Sequence, residues 1–142
     1  MATVSRDIGV CQVSGERARW LSSHVSTVSA VRWIDERRLA SAGYDGRLIV
    51  WSPWEGASGT VLKTIDTGGA AWDVTATRTA IATVTYAGLL SLHPLDGGRP
   101  ACTIALDTAL SSCDVSAEAT ILAVAGSAGT ALFKLPEWAA GA

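Results

Sequence analysis

Histidine, phenylalanine and charge are scarce in this chain. Its 142 residues include 2 histidines, 1 phenylalanine, 1 methionine, 3 cysteines and 4 prolines, and only 17% are Asp, Glu, Lys or Arg. Two histidines, with no His/Cys/carboxylate clustering, predict no metal centre and no cofactor held by one. Cys11, Cys102 and Cys113 are odd in number and widely spaced. That excludes a disulfide framework and a CxxC knuckle. Each lies in an apolar, β-prone stretch and is expected to be a buried free thiol. The 11 basic and 13 acidic residues leave a net charge of −2, which argues against a general electrostatic grip on nucleic acid. No apolar run approaches the roughly 18 residues of a membrane helix. The start has no apolar stretch of signal-peptide length, and Asp7 interrupts it. GxSxG, GxxxxGK[ST] and GxGxxG before a helix are all missing, so neither a nucleophile elbow nor a phosphate loop is indicated. These absences together predict a reducing, cytoplasmic or nuclear setting.

What the chain does have is 49% hydrophobic residues, 14 glycines and 6 tryptophans, enough apolar content for a core and many turns. Sliding the sequence along itself shows why. Residues 39–51 read LASAGYDGRLIVW, and residues 81–93 read IATVTYAGLLSLH, a shift of 42. Residues 122–134 read LAVAGSAGTALFK, a further shift of 41. Gly46, Gly88 and Gly129 fall in one column, as do Ala40, Ala82 and Ala123, while Tyr44 and Tyr86 share another. Asp73-Val74 matches Asp114-Val115 at a shift of 41. Residues 1–13 align on 39–51 at a shift of 38, placing Asp7 over Asp45 and Thr3 over Ser41. A period near 40 residues marks a repeat architecture.

Each unit reads as two short strands around a tight turn, where glycine permits a positive φ without steric cost. In the best copy Leu39–Ala42 and Arg47–Trp51 flank Tyr44-Asp45-Gly46. A proline follows each second strand (Pro53, Pro94, Pro136), as suits a residue that cannot donate to a ladder. Further strands are expected at 28–33, 71–76 and 112–116 before the hairpins, and at 60–65 and 101–106 after them. Residues 117–124 score as helix on alanine content, but the repeat column makes them a strand. Four strands per unit leave no room for a helix of normal length.

Residues 24–51 resemble a WD40 repeat: His24, the apolar strand Val28–Trp33, LASAGYDGRLIVW, and the closing Trp51. Ser23 and Ser52 stand where that family usually has glycine and aspartate. The resemblance implies an all-β fold of four-stranded antiparallel propeller blades. By that likeness the chain divides into a partial blade (1–21), blades at 24–65 and 68–106, a partial blade at 110–135 and a C-terminal tail (136–142). His24, Ser41, Asp45 and Trp51 then correspond to a buried hydrogen-bonded tetrad. In it the Asp45 carboxylate takes an imidazole N–H, and the bond passes through the Ser41 hydroxyl to the Trp51 indole. The second unit has Thr83, Ala87 and His93 at these places, and the third has Val124, Ala128 and Lys134. Those units are expected to hold by apolar packing alone.

Serine, histidine and aspartate are also the residue types of a hydrolase triad. Here they fill repeat positions inside strands, so no catalytic residue is assigned. Candidate partner-binding residues are Tyr44 and Tyr86, which precede the turns of successive units and either form a docking spot or cap the strand ends. Trp54 and Trp138 either anchor a partner or cover strand ends. Arg32 belongs to an arginine-rich first third. Through Trp51 there are 7 basic and 5 acidic residues, and afterwards 4 and 8; this asymmetry either steers an acidic partner or is a solvated face.

The repeats add up to an incomplete ring of about three to four blades, below the ring sizes of four to eight that propellers use. Open edges and apolar faces would be left exposed. The chain is therefore a piece of a longer protein, or it self-associates, or another chain completes the propeller. The expected function is a non-catalytic scaffold or interaction subunit that presents loop faces to protein partners. The alternative is a propeller that binds a small molecule or glycan.

Overall fold

Turn chemistry sets the strand boundaries. At Tyr44-Asp45-Gly46 the Gly46 N–H returns to the Gly43 carbonyl at 3.2 Å, and Gly46 sits at φ 76°. This is a three-residue loop closed by a left-handed glycine. Gly88 repeats it, with its N–H 3.1 Å from the Thr85 carbonyl. A computed structural model describes residues 6–10, 19–96 and 100–140, and no helix forms among them. The strands are β1 (Asp7–Val10), β2 (Arg19–Ser22), β3 (Val28–Trp33), β4 (Leu39–Gly43), β5 (Arg47–Ser52), β6 (Thr60–Asp66) and β7 (Ala71–Ala76). They continue with β8 (Ala80–Thr85), β9 (Leu89–Pro94), β10 (Cys102–Ala105), β11 (Leu110–Val115), β12 (Ile121–Gly126) and β13 (Gly129–Lys134).

These strands form four antiparallel sheets in chain order. The first is β1-β2, the second β3-β4-β5-β6, the third β7-β8-β9-β10, and the fourth β11-β12-β13. The molecule is all-β, built of blade-like sheets that, among the described residues, do not close into a ring. Strand alternation explains the stacking. Ile8, Val10 and Leu21 of the first sheet meet Leu39, Ile49 and Trp51 of the second. The opposite face of the second sheet, through Ala40, Ala42, Leu48 and Val50, meets Ala71, Val74 and Ile81 of the third. Ala82, Val84 and Leu90 then meet Cys113, Leu122 and Val124 of the fourth. Strands β4 and β8 are buried along their whole length, because a sheet lies on each side of them. Leu21, Leu48, Ile49 and Ile81 are fully buried, each contributing about 1.5–3 kcal/mol of transfer free energy.

Polar bridges join the first strands of successive sheets. Ser29 on β3 donates to the Ala71 carbonyl at 2.6 Å. Asp73 on β7 accepts from the Cys113 N–H on β11 at 3.0 Å.

Four alignments change in the structure. Asp7 lies in strand β1, not in a turn, and its carboxylate accepts from the Ser22 hydroxyl at 2.7 Å; Thr3 lies outside the described residues. In the last hairpin Gly126 pairs with Gly129, so its loop is one residue shorter than the others. Leu122 therefore pairs with Phe133, as Leu39 pairs with Trp51 and Ile81 with His93. Phe133, and not Lys134, stands at the Trp51 position, because a one-residue change of register moves every side chain to the other face. Likewise Val74 pairs with Thr83 and Cys113 with Val124, so Asp73 matches Ser112 and not Asp114.

One further expectation fails. Cys113 is buried but Cys102 is exposed, since it sits on the outermost strand of its sheet; Cys11 lies outside the described residues. The segment read as a C-terminal tail is docked through residue 140. Leu135 and Ala139 are buried, and the Thr77 hydroxyl donates to the Ala139 carbonyl at 2.7 Å.

Candidate functional site

The β4–β5 turn places Asp45 under the loop that carries His24. The Asp45 carboxylate accepts from His24 Nδ1–H at 3.0 Å, from the Val25 N–H at 3.0 Å and from the Arg47 N–H at 3.1 Å. On the far side of the imidazole, the Ser41 hydroxyl donates to Nε2 at 2.7 Å. The Trp51 indole N–H donates in turn to Ser41 Oγ at 2.8 Å. His24, Ser41, Asp45 and Trp51 are thus brought together in one chain of hydrogen bonds. Burial pushes the Asp45 carboxyl up, but the Val25 N–H, His24 and the Arg47 N–H outweigh it and hold the group below the usual carboxylate range. Ser41 is fully buried. Gly43, which composition alone did not single out, makes the approach possible. A Cβ there would lie 2.8 Å from His24 Nδ1 and 2.9 Å from Asp45 Oδ1.

The third sheet keeps part of this chain, contrary to the expectation of apolar packing alone. His93 occupies the Trp51 position and its Nε2 lies 3.1 Å from the Thr83 hydroxyl. Burial, aided by the charge of Lys63, pulls the His93 pKa down to about 4, so the ring is neutral near pH 7. The fourth sheet has Val124 and Phe133 in these positions and does hold by apolar contact there.

Above the turns lies an aromatic ladder. The Tyr44 and Trp72 rings are 5.6 Å apart, and the Trp72 and Tyr86 rings 5.4 Å apart and stacked. Tyr44 is 42% exposed, Trp72 38% and Tyr86 61%. The two tyrosines are not directly side by side: Trp72 is wedged between them. It arrives there through a β-bulge, since the β7–β8 register shifts between Ala71 and Asp73. The bulge turns one side chain outward while Ala71 and Asp73 stay buried. Ser29 and Ser111 are the corresponding bulge residues of the second and fourth sheets. The turns are pinned beneath the rings, with the Tyr44 N–H on the Thr27 carbonyl at 2.9 Å and the Tyr86 N–H on the Ala70 carbonyl at 3.3 Å.

The other two candidates point elsewhere. Arg32 Nη2 is 3.7 Å from Asp73 Oδ1, linking β3 to β7. Trp54 has the Arg19 guanidinium 6.0 Å from its ring, and Arg19 also donates to the Gly56 carbonyl at 2.6 Å. Neither joins the ladder. Burial first, and then the Asp73 carboxylate, push the Cys113 thiol above its usual range, so it is an unreactive core residue. Trp138 packs against the core between the third and fourth sheets. Among the described residues no three His, Cys, Asp or Glu side chains form a group that could hold a metal ion, and no helix is long and apolar enough to cross a membrane.

No family model matches the chain, and a search of the curated proteins finds no match.

Proposed function

We propose that this chain is a WD40-type propeller segment that acts as a non-catalytic interaction module, with the Tyr44–Trp72–Tyr86 ladder as its docking surface for a protein partner. The observation that carries this reading is the ladder itself: three exposed rings, drawn from two successive sheets, in mutual contact. Tyrosine and tryptophan dominate the energetics of protein interfaces because they combine large apolar area with few rotatable bonds. The rings rest on a rigid base, since the turns beneath them are hydrogen-bonded to the preceding loops. Ser41, the hydroxyl bonded to His24, is buried and bonded on both sides, which supports a structural role for that cluster.

The test is affinity capture with the Tyr44→Ala/Trp72→Ala/Tyr86→Ala variant beside the wild type. Proteins held by the wild type and lost by the variant, at unchanged circular dichroism, support the reading. Equal recovery by both counts against this surface.

A further inference from the structure

We propose, resting on the reading of the ladder as a docking surface, that Tyr44, Trp72 and Tyr86 receive a proline-rich segment of the partner in the polyproline II conformation. The polar groups that the ladder presents are side-chain donors. Among the described residues the Tyr44 and Tyr86 hydroxyls and the Trp72 indole N–H make no hydrogen bond. The hydroxyls can donate or accept, but the indole N–H can only donate. Main-chain donors beside the rings are engaged: the Tyr44 N–H on Thr27, the Thr67 N–H on Gly46 and the Tyr86 N–H on Ala70. A well-matched occupant therefore brings acceptors to three exposed rings without burying unpaired main-chain donors of its own.

Proline meets this requirement. Its nitrogen carries no hydrogen, its carbonyl is free in polyproline II, and proline-rich segments dock on aromatic-lined surfaces at low entropic cost. A helix has its carbonyls bonded within itself. An extended strand would bury N–H groups that find no main-chain acceptor ladder on the rings. Nucleic acid calls for basic residues along its backbone. In the loops around the rings, residues 24–27, 43–47, 66–72 and 85–89, the charged residues are Asp45, Arg47 and Asp66, and Arg47 stands opposite Asp66 in the β5–β6 register. Nucleobases also stack on open ring faces, whereas Trp72 is flanked by tyrosines at 5.6 and 5.4 Å. A polyproline turn of three residues rises about 9 Å, so a segment of about four residues covers the ladder.

The probe is blocked decaproline, titrated into the intact chain and followed by two-dimensional NMR. The Trp72 indole N–H and the Tyr44 and Tyr86 resonances should shift saturably, while β11 to β13 stay unmoved. The Tyr44→Phe/Tyr86→Phe variant keeps both rings and loses both hydroxyls. Its circular dichroism should match the wild type, and its affinity for decaproline should fall roughly tenfold. A blocked Gly-Ser decamer, flexible and rich in N–H groups, should shift nothing. No response to decaproline overturns the proposal, as does equal affinity in the phenylalanine variant or an equal response to the Gly-Ser decamer. Stronger shifts at the same three residues with oligothymidylate or a glucose oligomer also overturn it, in favour of a nucleic acid or a glycan. Loss of a captured partner by the triple-alanine variant, with no decaproline response, would retain the docking surface and discard polyproline. Decaproline binding with undiminished capture would retain the polyproline site and assign the captured proteins to another surface.

Discussion

Ser41 and Trp51 in the second sheet occupy the positions that Val124 and Phe133 occupy in the fourth. In one case the pair continues a hydrogen-bonded chain to His24 and Asp45. In the other it is two apolar side chains against a neighbouring sheet. Among the described residues the second sheet is covered on both faces and the fourth on one. A buried polar network stabilises only where every member is satisfied, and among the described residues no buried side-chain nitrogen or oxygen lacks a partner. The polar chain is thus found where a sheet stands on either side to enclose it. In the fourth sheet the same hairpin is built from apolar residues that tolerate partial exposure.

The largest contrast should come from deleting apolar bulk in each sheet. Ile49→Ala in the second sheet should cost about 2–5 kcal/mol, since a fully buried side chain leaves a cavity. Leu132→Ala in the fourth should stay within about 0.5 kcal/mol. Urea unfolding of both variants checks the difference, and similar losses would show that the fourth sheet's outer face is covered.

The third sheet offers an intermediate case that responds to pH. The folded His93 pKa of about 4 lies below the ordinary 6.5, so the unfolded chain takes up the proton first as pH falls. The stabilisation from neutral His93 is complete above pH 6.5 and is lost as pH drops toward 4. It amounts to about 3 kcal/mol on the basis of 1.36 kcal/mol per unit. The double variant Thr83→Val/His93→Phe, which installs the fourth sheet's pair, should flatten that slope of stability against pH. An unchanged slope would assign the loss to other groups.

Asp45→Ala should cost about 1–3 kcal/mol, because it leaves the His24 and Val25 N–H groups without their acceptor. Thermal unfolding checks this, and a neutral result would separate the network from stability. The depressed Asp45 pKa has the same sign at lower pH. Its contribution is present above the ordinary carboxylate range and is lost as pH falls through the folded value.

Much of this arrangement was legible from glycine and alternation. Gly46 and Gly88 mark left-handed turn positions that few other residues accept, and the apolar period of two identifies the flanking strands. Gly129 misled the alignment because identity at one column hid a hairpin shorter by one residue, and only cross-strand pairing reveals that phase. Trp72 was missed for a related reason. Its exposure comes from a bulge, which adds a residue without any composition signal of its own, although its match to Ser29 and Ser111 becomes plain once the register is known. Asp73 reads as a strand residue, and its bond to β11 depends on a neighbour 40 residues away.

The central claim is that the ladder is a binding surface and not a stabilising one, and Trp72→Ala tests it most directly. The expected result is a change in unfolding free energy within about 0.5 kcal/mol, together with loss of the partner captured through the wild-type ladder. A variant that unfolds markedly more easily, or that retains the partner as well as the wild type does, would contradict the account.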